Sequence, residues 1–288
     1  MRSARPWPPA RSLAQPLNRL LAAGALLGLA ACGSTTASSV TSGAAGASAT
    51  DAPAELTVLA ASSLTSVLPG IDASFTGTHP GVTVTPGFDG TQALLTKLAN
   101  APSAVDVFIS ADSARMDDAV SRKLVTTPRP LARNRLVIAV PRGNPAHIAS
   151  LADLGRPGLR VVLADPSVPA GKFAAQTFSK AESSGDAPAG FAAAVATNTV
   201  SKETSVRGVL QKIEGSEVDA GVVYTTDATS VNDVDTVAIP DRDQTLAVYS
   251  LAASARSPHP AQAAAYVDYL AGPVAQRALQ DAGFLPPA

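Results

Sequence analysis

The stretch "ELTVLAASSLTSVLPGIDASF", Glu55 to Phe75, begins as a β-strand and ends as an amphipathic helix. Between the two lie the small residues Ala60, Ala61, Ser62 and Ser63, so two bare hydroxyls stand where a buried strand meets a helix N-terminus. Leu64, Val67, Leu68, Ile71 and Phe75 recur at the 3.6-residue spacing of one helix face. The same alternation continues downstream. "GVTVTPGF" (81–88) predicts a second strand and "TQALLTKLAN" (91–100) a helix with Leu94, Leu95 and Leu98 inward. "VDVFISAD" (105–112) predicts a third strand that leads into a helix carrying Met116 and Val120 on its inner side.

A second series starts at "RLVIAVP" (135–141). It adds a strand in "LRVVLADP" (159–166), a helix opening at "PAGKFAAQTF" (169–178), a helix at "SVRGVLQKIEG" (205–215) and a strand in "DAGVVYTTDA" (219–228). "QTLAVYSLAASA" (244–255) supplies a late strand, and the C-terminal helices break at Gly272-Pro273. "AESSGDAPAG" (181–190) reads as an exposed loop insertion. Two βα series with a late return strand predict an α/β fold of two lobes, each a mostly parallel sheet flanked by helices, joined by two crossings. The lobes are expected at 56–134 with 246–288, and at 135–245, with hinges near Asn134-Arg135 and from Asp241 to Leu246.

The N-terminal residues follow a different logic. Residues 1–31 carry Arg2, Arg5, Arg11 and Arg19 without an acidic residue, then the short apolar run of "LLAAGALLGLAAC". That pattern predicts a secretory signal, because an apolar run of about 12 residues falls short of the roughly 20 that span a membrane. "LAAC" resembles a bacterial lipoprotein box, which makes Cys32 the lipid attachment point and the mature N-terminus. Cys32 is the single cysteine, so no disulfide framework competes for it. Residues 32–55, rich in Ser, Thr, Ala and Gly, read as a tether that holds the globular part roughly 25 Å from the membrane.

The chain has 288 residues, 46% of them apolar and 16% charged, a globular composition. Its formal net charge of −1 leaves no basic surplus for nucleic acid. Without the four leader arginines, 18 basic residues face 23 acidic ones, a net of −5. Hydrolase, metal and nucleotide signatures are missing: the chain contains no GxSxG elbow, CxxC, HExxH, GxGxxG or Walker loop. His79, His147 and His259 adjoin prolines in predicted loops and read as surface residues.

Ligands of open α/β sheets sit beyond the strand carboxyl ends, where helix N-termini point. Here those junctions carry Ser62 and Ser63, Gly90 and Thr91, Ala170 and Gly171, Val206, and Tyr224, with almost no cation. Unpaired N–H groups at helix N-termini, helped by hydroxyls, form a cage of donors suited to a fully ionised tetrahedral oxyanion. Such a site needs no protein–metal bond, no cofactor and no catalytic residue.

From Leu56 to Phe284 the chain resembles the molybdate-binding proteins of ABC importers, two-lobed receptors of the type II periplasmic-binding-protein class. The motifs are "AASSLTSVL", "FDGTQALLTKL", "DVFISAD", "DPSVPAGKFA", "VRGVL" and "GVVYTTDA". The resemblance implies molybdate ligation, and tungstate with it, by Ser63, by Thr91 at a position usually serine, by backbone N–H groups of Ala170 and Val206, and by Tyr224. Ser62, Gly90 and Asp89 are additional candidates. Asp89 reads first as a helix cap; accepting a proton from hydrogen phosphate is its competing role. The expected protein is a monomeric, extracytoplasmic lipoprotein that serves an ABC permease and is not an enzyme. Receptors for sulfate or phosphate, and a secreted serine hydrolase using Ser62 or Ser63, are the alternatives.

Overall fold

The structure is a computed structural model and describes residues 52–287. The predicted signal segment, Cys32 and nearly all of the tether lie outside the described residues.

Ten strands and nine helices follow the chain among these residues. The first group is β1 (Ala54–Ala61), α1 (Leu68–Thr78), β2 (Val82–Asp89), α2 (Thr91–Asn100), β3 (Val107–Ser110), α3 (Ser113–Ser121) and β4 (Arg129–Asn134). The second is β5 (Leu136–Pro141), β6 (Val161–Ala164), α4 (Pro169–Ser184), α5 (Phe191–Asn198), β7 (Thr199–Glu203), α6 (Val206–Glu214), β8 (Ala220–Tyr224), α7 (Thr225–Thr229) and β9 (Val234–Ala238). β10 (Ala247–Ala253), α8 (Pro260–Leu270) and α9 (Pro273–Asp281) complete the chain.

Two five-stranded sheets result, ordered β2-β1-β3-β10-β4 and β7-β6-β8-β5-β9. Parallel pairing joins the first three strands of each order, and antiparallel pairing brings in the last two. In each sheet, therefore, four strands point one way and one, β10 or β5, points the other. Both reversed strands directly follow a passage between sheets, at 134–136 and at 239–246. The molecule is two-lobed, mixed α/β, with the two lobes built to one plan.

Strand alternation divides the first lobe's core into two layers. Leu56, Val58 and Ala60 of β1 face one hydrophobic cluster, while Leu59 faces another with Phe108, Leu94, Leu98 and Met116. Each fully buried side chain of this size contributes about 1.5–3 kcal/mol. On the outer layer Phe75 is fully buried between His79, stacked at 4.1 Å, and the edges of Tyr266 and Tyr269.

Several expectations need correction. Ser62–Leu64 forms a separate 3₁₀ turn, and α1 begins only at Leu68, just before Pro69, a residue favoured in a helical first turn. Val120 is 40% exposed, one residue before α3 ends, rather than inward. Residues 181–190 are an exposed loop only in part: α4 runs on to Ser184, 185–190 connect it to α5 and are mostly exposed, and Ala181 and Ala187 are buried. His79 and His259 are half-buried packing residues, the latter 3.3 Å from the buried Asp106 carboxylate. The unexpected strands β4, β7 and β9 are all sheet edges. Edge strands face water on one side and carry polar residues, as "RPLARN", "TVSKE" and "VDTVA" do, so the apolar run that marks a central strand is missing.

Candidate functional site

The cleft between the lobes is walled by the ends of strands and the starts of helices. From the first lobe come Ala61, Ser62, Ser63, Asp89, Gly90, Thr91 and Ala111; from the second come Val168, Pro169, Ala170, Val206 and Tyr224. All eight residues singled out in the globular sequence therefore line one cavity. Its volume is about 10 Å³ as the space open to the centre of a water-sized sphere, the scale of a single water molecule. No Lys or Arg is among the lining residues, and Asp89 is the one charged group there.

Four N-termini meet at this cavity: the 3₁₀ turn at Ser62, α2 at Thr91, α4 at Pro169 and α6 at Val206. First-turn N–H groups have no carbonyl one turn back to bond, and each terminus of a full helix carries about half a positive charge. Gly90 and Val168 occupy the N-cap positions of α2 and α4 without a side-chain capping bond. At α6 the Ser205 hydroxyl accepts from Gly208 N–H at 3.2 Å, three residues in, and does not cap Val206. Gly171 lets α4 start this close to its sheet, because a Cβ there would lie 2.3 Å from the carbonyl oxygens of Ala164 and Asp165.

The hydroxyls are held from behind. Ser63 Oγ shares a 2.7 Å hydrogen bond with Tyr249 Oη, whose ring is fully buried against Phe284 and Tyr224. Thr91 Oγ1 accepts Ala111 N–H at 3.2 Å, so its own proton is left to donate elsewhere. Tyr224 is 2% exposed, and its Oη is a buried atom with no hydrogen-bond partner among the described residues. Burial pushes the Tyr224 hydroxyl well above the ordinary tyrosine range, and Tyr249, Asp227 and Asp112 add to the shift. The group stays neutral and keeps its proton to give. An orphaned donor in a buried place costs about 1–3 kcal/mol, which a hydrogen-bonding guest would offset.

Asp227, behind the site, accepts Tyr224 N–H at 3.3 Å. Burial pushes its carboxyl up to about 7, against the Tyr224 hydrogen bond and the Arg207 charge, which pull it down. Asp89 is not the expected helix cap, since Gly90 holds that position. Its Oδ1 accepts the adjacent Gly90 N–H at 2.8 Å and its Oδ2 pairs with Lys97 at 2.9 Å. Both carboxylate oxygens are thus already engaged.

Tyr249, Ala111, Val168 and Pro169 were missed by the sequence reading. In "LAVYSLAA" Tyr249 has only the strand alternation of a core residue, with Ala247 and Leu251. Nothing local ties it to Ser63, which lies 186 positions away.

The family model for bacterial extracellular solute-binding proteins matches residues 56–285. Molybdate-binding protein ModA of Mycobacterium tuberculosis is 36% identical over 270 residues, 93% of this chain and 97% of that protein. The structure of the Azotobacter vinelandii periplasmic molybdate-binding protein superposes with a TM-score of 0.69 at 16% identity, covering 81% of this chain and 100% of the other. That of the sulfate-binding protein SubI from Mycobacterium tuberculosis also reaches 0.69, at 21% identity, over 81% of this chain and 86% of the other.

Proposed function

Because the chain belongs to the bacterial extracellular solute-binding protein family, we propose that its cleft receives molybdate, and tungstate with it, for delivery to an ABC importer. The observation that carries this reading is the buried hydroxyl of Tyr224, without a hydrogen-bond partner among the described residues, on a residue that lines a cavity where three helix N-termini and a 3₁₀ turn meet Ser63 and Thr91. Ser63, Thr91 and Tyr224 donate O–H, and Ala170 and Val206 donate backbone N–H, to a dianion that brings no proton. Ser62 and Gly90 complete the wall. Dipoles fixed in place of water offset the desolvation of the anion, and without a cation to hold it the anion can leave again.

Asp89 separates the readings within the oxyanion class. Hydrogen phosphate needs an acceptor for its proton, and Asp89, the one carboxylate on the cavity wall, already has one donor on each oxygen, Gly90 N–H and Lys97, which leaves it half of its acceptor sites. Sulfate has the charge and shape of molybdate, so size is the remaining discriminant. A serine hydrolase is disfavoured because Ser63 is bonded to Tyr249 and no histidine lines the cavity. The protein acts by binding and release, with no covalent step.

The lobes, 56–134 with 246–288 and 135–245, close on the anion about the two passages between sheets, and the closed form engages the permease. Residues 1–31 are the secretory signal, and Cys32 anchors a monomer to the membrane through lipid, with 32–55 as spacer. Titration calorimetry with molybdate, tungstate, sulfate and phosphate tests the assignment. Tight binding of the first two with much weaker sulfate and phosphate binding is expected; preference for sulfate or phosphate would reassign the ligand.

A further inference from the structure

Two contacts cross the cleft beside the cavity. Lys172 Nζ, on α4, lies 3.1 and 2.9 Å from the two carboxylate oxygens of Asp112, which follows β3 in the other lobe. On a different stretch of the seam Gln92 Nε2 donates to Thr204 O at 3.0 Å. Gly90 packs so closely there that a Cβ would stand 2.6 Å from the same Thr204 oxygen. Asp112 is next in sequence to Ala111, and Lys172 is two residues beyond Ala170, so the ion pair reports directly on whether the cavity walls have met. Neither residue lines the cavity itself.

We infer that Lys172 and Asp112 form a clasp that sets the fraction of closed protein, and through it the anion affinity, without touching the anion. The inference rests on the reading of the cleft as the anion site.

Asp112 has a second task that does not depend on closure: its Oδ1 accepts Ala114 N–H at 3.0 Å and caps α3. Its carboxylate is therefore preplaced in the first lobe, and its side chain is only 6% exposed in the closed form. Lys172 is 37% exposed and reaches Asp112 only when the lobes meet. A preplaced, largely buried acceptor raises the value of the pair above that of an ordinary surface ion pair, while the exposed lysine lowers it. Binding through a fractionally populated closed form divides affinity by that fraction, so the pair acts on affinity by population alone.

The test uses the purified full chain with Lys172→Met, Asp112→Asn and Lys172→Arg. Asp112→Asn keeps an oxygen for the Ala114 N–H, and Lys172→Arg keeps the pair. Calorimetry with molybdate should show about five- to tenfold weaker binding for the first two variants at unchanged melting temperature, and near wild-type affinity for the third. Hydrogen exchange read by mass spectrometry should show less protection of segments 89–96 and 201–208 in Lys172→Met. Wild-type affinity together with wild-type protection in Lys172→Met would overturn the clasp. If the wild type binds no molybdate, the ligand assignment fails separately and the clasp is decided by exchange in the ligand-free proteins. Lost seam protection in Lys172→Met then supports it, and identical patterns refute it.

Discussion

The two walls of the cleft reach the same cavity by different chemistry. The first lobe brings hydroxyl side chains, Ser62, Ser63 and Thr91, each at the end of a parallel strand; the second brings the N-termini of α4 and α6 at Ala170 and Val206, with Tyr224 as its one hydroxyl. The difference shows where the site can be altered. A side-chain donor disappears with one substitution, whereas a backbone donor persists as long as the helix starts in the right place. The first wall is written in residue identity and the second in residue position.

The largest effects should come from the hydroxyls. Ser63→Ala and Tyr224→Phe should each weaken molybdate binding at least tenfold, because a hydrogen bond to a charged partner contributes about 1.5–3 kcal/mol. Their stabilities should diverge. Tyr224→Phe removes a buried hydroxyl with no hydrogen-bond partner among the described residues, so its melting temperature should hold or rise, while Ser63→Ala takes away the 2.7 Å partner of Tyr249 Oη, leaving it Asn134, and should lower it. Equal melting shifts in the two variants would erase the distinction drawn between their surroundings.

For the positional wall, Gly171→Ala is the sharper probe. A Cβ 2.3 Å from two carbonyl oxygens forces α4 off its sheet, at a cost of about 1–3 kcal/mol in denaturant unfolding. Affinity should fall with it, although Gly171 carries no donor side chain. Val206→Ala, which leaves the backbone N–H in place, should change affinity by less than about twofold, the size expected where no ligand hydrogen bond is lost. A large loss there would make the second wall a side-chain wall after all.

The remaining effects are smaller and partly remote from the cleft. Asp72 lies beneath α8 with Tyr266 Oη donating to one carboxylate oxygen and the other buried without a partner among the described residues. Burial raises its pKa from 3.8 to about 6, opposed by the Tyr266 hydrogen bond. Stability from this group is complete below pH 3.8, falls as pH rises towards about 6 because the unfolded chain loses its proton first, and stays lost above that. Asp72→Asn, neutral throughout, should gain about 1–2 kcal/mol on the wild type between pH 3 and pH 8 in denaturant titrations, allowing for solvent screening. Asp89→Asn should leave molybdate affinity within about twofold, since the hydrogen bonds to the anion come from elsewhere; a tenfold change would return Asp89 to the list of ligand contacts.

The same division explains what could be read from the sequence. Hydroxyls at strand ends were legible because Ser62, Ser63, Thr91 and Tyr224 fall where apolar periodicity switches from 2 to 3.6. Ala170 and Val206 have no such mark. They emerged only through the resemblance of "DPSVPAGKFA" and "VRGVL" to a family pattern, because a backbone donor leaves no trace in side-chain type. Central strands announced themselves as apolar runs, while the edges β4, β7 and β9 did not. Long-range pairings such as Ser63 with Tyr249 and Asp112 with Lys172 exist only once the sheets are assembled, so no local pattern encodes them.

Crystals of the protein grown with molybdate, measured on both sides of the molybdenum absorption edge, would test the central claim most directly. The account predicts a single strong anomalous peak in the cleft, within hydrogen-bonding reach, through its oxygens, of Ser63, Thr91, Tyr224 and the N–H groups of Ala170 and Val206. A peak elsewhere, or a cleft peak ligated by Asp89 or by a lysine, would contradict it.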